Sequence, residues 1–193
     1  MYTIMYDGES VRLRALEMED LDDIMSHWND LELRRFLSST WPHSRRAEHQ
    51  WLERATTLDP FKDGQMVLAI EDKKTNRFIG TVAFFDISKH HSRAEFGIAI
   101  HSPQDLGKGY GTDATRVMLW VGFHIFGLNS IYLVTLDENK RAQKAYAKAG
   151  FKRAGVFRQA AFVMGEFHDF VIMDVLKSDF FEQFPPGTKV SDS

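Results

Sequence analysis

Cysteine is absent from this 193-residue chain. That removes disulfides, thiolate-bound metals and a cysteine nucleophile together. No apolar run approaches the roughly 18 residues that a membrane-crossing helix requires, and the N-terminus lacks the basic-then-apolar pattern of a secretory signal. Basic charge is not in excess either: 24 Lys and Arg face 27 Asp and Glu, a net of −3. This is not the footprint of a nucleic-acid binder. The expectation is a cytoplasmic protein with neither membrane nor nucleic acid as partner. HExxH is missing, and the paired His90 and His91 are adjacent rather than four apart, so no metal is expected. GxSxG is missing as well, which removes the usual serine nucleophile.

What is present suffices for one domain. Hydrophobic residues make up 44% of the chain, with 16 phenylalanines, ample for a sizeable core. The expected unit covers residues 1–180, with a C-terminal tail at 181–193. Residues 10–16 alternate as a strand, and an acidic helix start follows. Between Glu17 and Glu32 there are seven carboxylates and no Lys or Arg. They read either as a solvated helix face or as an acidic rim that attracts a cationic amine. Ser44 is placed to cap the next helix. Residues 65–71 and 78–87 form a hairpin by pattern, and 94–100 add a further strand. A helix over 111–126, a buried strand over 131–136, a helix from Asn139 to Gly150 and a last hairpin around Gly165-Glu166 complete the chain. Strands and helices mix without strict alternation. An α+β fold follows, with a central mixed, mostly antiparallel sheet flanked by helices.

The densest signal is the stretch Leu106-Gly107-Lys108-Gly109-Tyr110-Gly111-Thr112. Alternate glycines permit positive φ or close approach to a ligand, and unpaired amides at a helix N-terminus favour phosphate. A Walker A string is not there. A dinucleotide fingerprint begun at Gly107 ends on Thr112 instead of glycine, after the wrong strand. A shorter pyrophosphate cradle remains.

Residues 106–111 resemble the acetyl-CoA signature [RQ]-x-x-G-x-[GA] of the GNAT acetyltransferase superfamily, with Leu106 where Arg or Gln is usual. Asn139, Ala142, Tyr146, Gly150 and Phe151 match its second signature, N-x-x-A-x-x-x-Y-x-x-x-G-F. The branch it most resembles holds the ribosomal-protein N-terminal (RimJ/RimL-type) and spermidine N-acetyltransferases. The resemblance implies the GNAT fold, acetyl-CoA as co-substrate, and a small amine or protein N-terminus as acceptor; a homodimer is compatible with it. Backbone groups of Ala99, Ile100 and His101 would run beside the pantetheine arm, and amides from Leu106 to Thr112 would hold the pyrophosphate. Asn139, Ala142 and Lys144 would meet the cofactor from the next helix.

Tyr146 is the implied general acid, its phenol of ordinary pKa about 10 able to protonate a departing thiolate. Glu95 is a candidate base, although Ala99 lies about 13 Å further along an extended strand. Pairing with Arg93 is the competing role for Glu95. Without a cysteine acyl carrier, direct transfer is the economical chemistry. A non-catalytic acyl-CoA-binding regulatory module and a nicotinamide-dependent oxidoreductase are the alternatives.

Overall fold

The computed structural model describes residues 5–37 and 40–186. Its strands are β1 (Tyr6–Asp7), β2 (Val11–Ala15), β3 (Met66–Asp72), β4 (Phe78–Ser88), β5 (Arg93–Ile100), β6 (Ser130–Leu136), β7 (Lys152–Val163) and β8 (Glu166–Leu176). They form one sheet in the order β1-β2-β3-β4-β5-β6-β8-β7. Neighbours are antiparallel except β5 and β6, which run parallel. The mixed α+β architecture expected from the sequence is the one observed.

Helices cover both faces: α1 (Leu21–Trp28), α2 (Leu31–Arg34), α3 (Arg45–Ala55), α4 (Tyr110–Trp120), α5 (Lys140–Lys148) and α6 (Lys177–Gln183). The two-residue period of the strands sorts the core. Leu13, Ile70, Val82 and Phe96 join α4 and α6 in one apolar cluster. Ala69 and Phe78 join Leu21, Ile24 and Leu52 of α1 and α3 in another. Ser44 caps α3 by accepting from the Ala47 amide at 3.1 Å.

Besides β1 and α2, which the sequence reading lacks, three elements depart from it. The helix expected over 111–126 stops being α-helical at Trp120 and widens into a π turn, Val121–Ile125. Gly122 sits in that turn because a Cβ there would lie 2.7 Å from Ile131 Cδ1 and 2.9 Å from Phe84 Cζ. The last hairpin turns at Met164-Gly165, both at positive φ as a two-residue turn requires, not at Gly165-Glu166. Finally, α6 crosses position 180, and Phe184 is buried against the core. The folded chain therefore continues past the boundary read at 180. Of the expected tail, residues 187–193 lie outside the described residues.

One polar contact fixes the start of α4 against the sheet. The buried Asp113 carboxylate accepts from the amides of Glu9 (3.1 Å), Ser10 (2.6 Å) and Val11 (2.9 Å) and from Ser10 Oγ (2.9 Å). Gly8 makes room for it, since a Cβ at that position would stand 2.5 Å from Asp113 Oδ1. Asp113→Ala would strand these donors in a closed site. We expect it to cost about 3 kcal/mol, read as a lower midpoint in urea denaturation.

Candidate active site

Strands β5 and β6 pair only over Arg93, Ala94 and Glu95 against Ser130, Ile131 and Tyr132. Beyond that point they part, while β4 stays paired with β5 as far as Ile100 and β8 with β6 as far as Leu136. A wedge opens inside an otherwise continuous sheet.

The backbone of β5 determines what faces this wedge. The Ala99 carbonyl turns toward β4, so close that a Cβ on Gly80 would meet its oxygen at 2.0 Å. A planar trans peptide then aims the next amide, that of Ile100, the opposite way into the gap. His101 donates its amide to the Ile79 carbonyl at 3.0 Å, so the Ile100 carbonyl also faces the gap. Of the three residues expected beside an extended ligand, Ile100 presents its polar backbone groups there. Ala99 and His101 direct theirs to β4. The strand period gives Ile98 the same orientation as Ile100, a residue the sequence reading did not single out.

The glycine loop lies at the mouth of the wedge. Gly107 has φ +78° and Gly109 φ +92°, and a Cβ on either would touch nothing within 4 Å. Conformation and open space above the loop, not packing, require glycine here. Leu106 donates to Pro103, and Thr112 to Gly109, so the ends of the expected amide set are engaged internally. The amides of residues 107 to 111 donate to no carbonyl or side chain among the described residues, as the first donors of a helix do.

Charged residues brace this loop. Arg77 holds Asp105 through two bonds of 2.7 and 2.6 Å, and Lys108 reaches the same carboxylate at 3.4 Å. Arg77 keeps Asp105 below the usual carboxylate range. Asp72 is the second carboxylate coupled to Arg77, so the brace holds two cations and two acids. The Tyr110 hydroxyl donates to Asp72 at 2.5 Å; that bond raises the phenol and lowers the carboxyl. The Tyr110 side chain is thus a strut, and its amide is what faces the loop.

On the other wall, α5 presents Tyr146 edge-on to Phe96 (6.1 Å) and Phe151 (6.0 Å). Tyr146 is half-buried and packed against the core, and its hydroxyl makes no hydrogen bond among the described residues. Burial pushes its phenol up to about 12. Asn139 caps α5, its Oδ1 accepting from the Ala142 amide at 3.2 Å, so Ala142 has no free amide to offer a ligand. Lys144 stands exposed on the outer side of α5. At the closed end, Glu95 accepts from the Tyr132 phenol at 3.3 Å, while Arg93 is 3.5 Å from Asp86. The parallel register brings Tyr132 to Glu95, a pairing invisible in the sequence.

Residues 28 to 36 bridge the open end of the wedge on the face away from α4. Trp28 stacks on His101 at the end of β5 (4.9 Å), and Phe36 packs with Leu136 at the end of β6. His101 is 3% exposed. Burial, aided by nearby His27 and slightly offset by the Ile24 backbone, pushes its imidazole down to about 4. Neither ring nitrogen completes a hydrogen bond. The acidic stretch is largely spent on local work. Asp20 pairs with Arg14, Asp22 with Arg45, Asp30 caps α2, and Glu32 meets Arg35. Among the described residues no group of three or more His, Asp and Glu is placed to hold a metal ion, and no helix is long and apolar enough to cross a membrane.

Comparison with known proteins agrees with this geometry. Residues 10–152 match the model of the acetyltransferase (GNAT) domain. Spermidine N(1)-acetyltransferase of Escherichia coli (strain K12) is 29% identical over 192 residues, covering 95% of each chain. The uncharacterized N-acetyltransferase YoaA of Bacillus subtilis (strain 168) is 26% identical over 92% of this chain and 98% of its own. Among solved structures, spermidine N-acetyltransferase from Vibrio cholerae in complex with CoA and spermine superposes with a TM-score of 0.79. It is 27% identical and covers 90% of this chain and 99% of its own.

The buried imidazole of His101 gives stability a pH dependence. Its folded pKa lies below the ordinary 6.5, so the unfolded chain takes up a proton first as pH falls. The contribution is complete above 6.5 and is lost toward pH 4, up to about 3 kcal/mol. His101→Phe should flatten that part of the stability profile, measured by urea denaturation between pH 7 and 4.

Proposed function

The chain belongs to the GNAT acetyltransferase family, and from that premise we propose that it transfers the acetyl group of acetyl-CoA directly to a primary amine, with polyamines as the preferred class. The family and its relatives support an acetyl-CoA-dependent N-acetyltransferase. The polyamine class rests on the spermidine enzymes among those relatives. Carrying the reading is one juxtaposition: free amides at a helix mouth, the outward amide of Ile100 in the wedge, and the unbonded Tyr146 hydroxyl on the α5 wall.

These residues fit the co-substrate. Amides of residues 107 to 111 would hold its diphosphate, helped by Lys108 and Arg77, and Ile98 and Ile100 would hydrogen-bond the extended arm in the gap. Acetyl-CoA supplies an activated acyl group on a thiol leaving group. The chain's own contribution is to orient that group, polarise its carbonyl with an amide of β5, and control two protons.

Tyr146 keeps its proton across the whole physiological range because its pKa is raised. It therefore serves as the acid that protonates the leaving sulfur. Glu95 is assigned the other proton. Its separation from Ala99 along β5 requires that proton to travel from the amine through water, and Tyr132 holds the carboxylate in place.

Thiol release from acetyl-CoA, screened with spermidine, spermine, n-butylamine and N-terminal peptides, tests the substrate class. Turnover of peptides alone would overturn the polyamine assignment. Tyr146→Phe should lower kcat about a hundredfold or more while leaving the calorimetric Kd for acetyl-CoA within about twofold. Unchanged kcat would remove the acid role, and a chain that binds acetyl-CoA without turnover would be a binding module.

A further inference from the structure

One charge pair, where residues 28 to 36 bridge the open end of the wedge, differs in kind from the rest. Arg14 holds Asp20 at 2.9 and 2.7 Å, and Arg77 holds Asp105 at 2.7 and 2.6 Å. Both carboxylates are almost wholly buried. These are structural clasps. Arg35 instead reaches Glu32 at 3.5 Å and Glu138 at 3.4 Å, each through a single nitrogen. Arg35 and Glu138 are each about a third exposed, and Glu32 is 76% exposed. Screened contacts of that length contribute under about 1 kcal/mol. Phe36, packed with Leu136, Ala161, Val163 and Phe170, is what docks this segment. The Arg35 guanidinium lies 4.8 Å over the Phe36 ring, a contact that requires neither carboxylate.

The two partners differ in freedom. Glu138 stands between the end of β6 and the Asn139 cap of α5, and its carbonyl accepts from the Lys140 amide at 2.8 Å. Arg35 is the C-cap of the four-residue α2, on a long side chain with a second carboxylate, Glu32, to which it can retreat. Glu138 is tied by its backbone where two elements meet, whereas the Arg35 guanidinium can exchange Glu138 for Glu32 while it stays over the Phe36 ring. His168 Nδ1 lies 4.0 Å from the other Glu138 oxygen, so the carboxylate stands between an imidazole and the Arg35 guanidinium.

We propose that Glu138 is a specificity residue that holds the second ammonium group of a di- or polyamine, and that Arg35 is the resting counter-ion which that ammonium displaces. The inference rests on the polyamine reading above and adds to it how a substrate with two charges is told from one with a single amine. A monoamine leaves the Arg35–Glu138 pair intact and gains nothing from it. A polyamine exchanges a loose internal pair for a charge-assisted hydrogen bond, and Arg35 keeps Glu32.

The experiment compares spermidine with n-butylamine as acceptors for the wild-type protein, Glu138→Gln and Arg35→Gln, alongside calorimetry with acetyl-CoA and thermal melts. Glu138→Gln should raise the KM for spermidine about tenfold, with n-butylamine kinetics, acetyl-CoA affinity and melting temperature unchanged. Arg35→Gln should lower the spermidine KM by removing the competitor. The proposal is overturned if Glu138→Gln leaves the spermidine KM alone or shifts both amines equally. It is also overturned if Arg35→Gln raises that KM as much as Glu138→Gln does, the behaviour of a simple clasp. A wild-type protein that turns over n-butylamine but not spermidine would overturn the substrate reading first, and this proposal with it.

Discussion

Two neighbouring strands in one sheet hydrogen-bond at one end and stay apart at the other, and the chemistry of this protein depends on that separation. Backbone amides and carbonyls left unpaired inside a sheet are costly unless something else satisfies them. In the proposed function the outward groups of Ile98 and Ile100 would serve as a template for an extended ligand. Everything around the wedge keeps it open without letting the sheet unravel. Gly80 admits the Ala99 carbonyl and so locks β5 to β4. The β6–β8 ladder holds the other wall. Residues 28 to 36 tie the two diverging strand ends together through Trp28 and Phe36.

Burial shapes the acid–base chemistry in the same place. A phenol raised to about 12 is a weaker acid than free tyrosine, which by itself makes it a poorer donor to a thiolate. Under the proposed function a thiolate released beside it would lose hydration for the same reason, and its basicity would rise as well. Proton transfer depends on the difference between the two, and shared desolvation would move them in one direction.

The elements of the sheet, the glycine loop, the Asn139 cap and the position of Tyr146 were legible in the sequence because each is local. Strand alternation, positive-φ glycines and helix caps are written in a few adjacent residues. What was not legible depends on register between distant segments. Tyr132 looks like one more residue of a buried strand until parallel pairing sets it against Glu95. His101 looked like a neighbour of the ligand, but its amide serves β4 and its ring serves the core. The run of acids from Glu17 to Glu32 suggested a rim, whereas Arg14 and Arg45 take two of its members. Glu138, the carboxylate proposed to meet a second ammonium group, lies outside that run. No local pattern announces the π turn at Gly122, because its cause is the approach of Phe84 and Ile131 from other strands.

The Asp113 anchor carries a consequence for how the molecule comes into being. Its partners lie 102 to 104 residues upstream, so the first strands leave the ribosome well before the helix that will hold the diphosphate. Until then those amides have no carboxylate to meet. A contact of that sequence separation closes only when distant parts of the chain meet. A nascent chain that stops short of Asp113 has the opening strands without the carboxylate that ties them to α4.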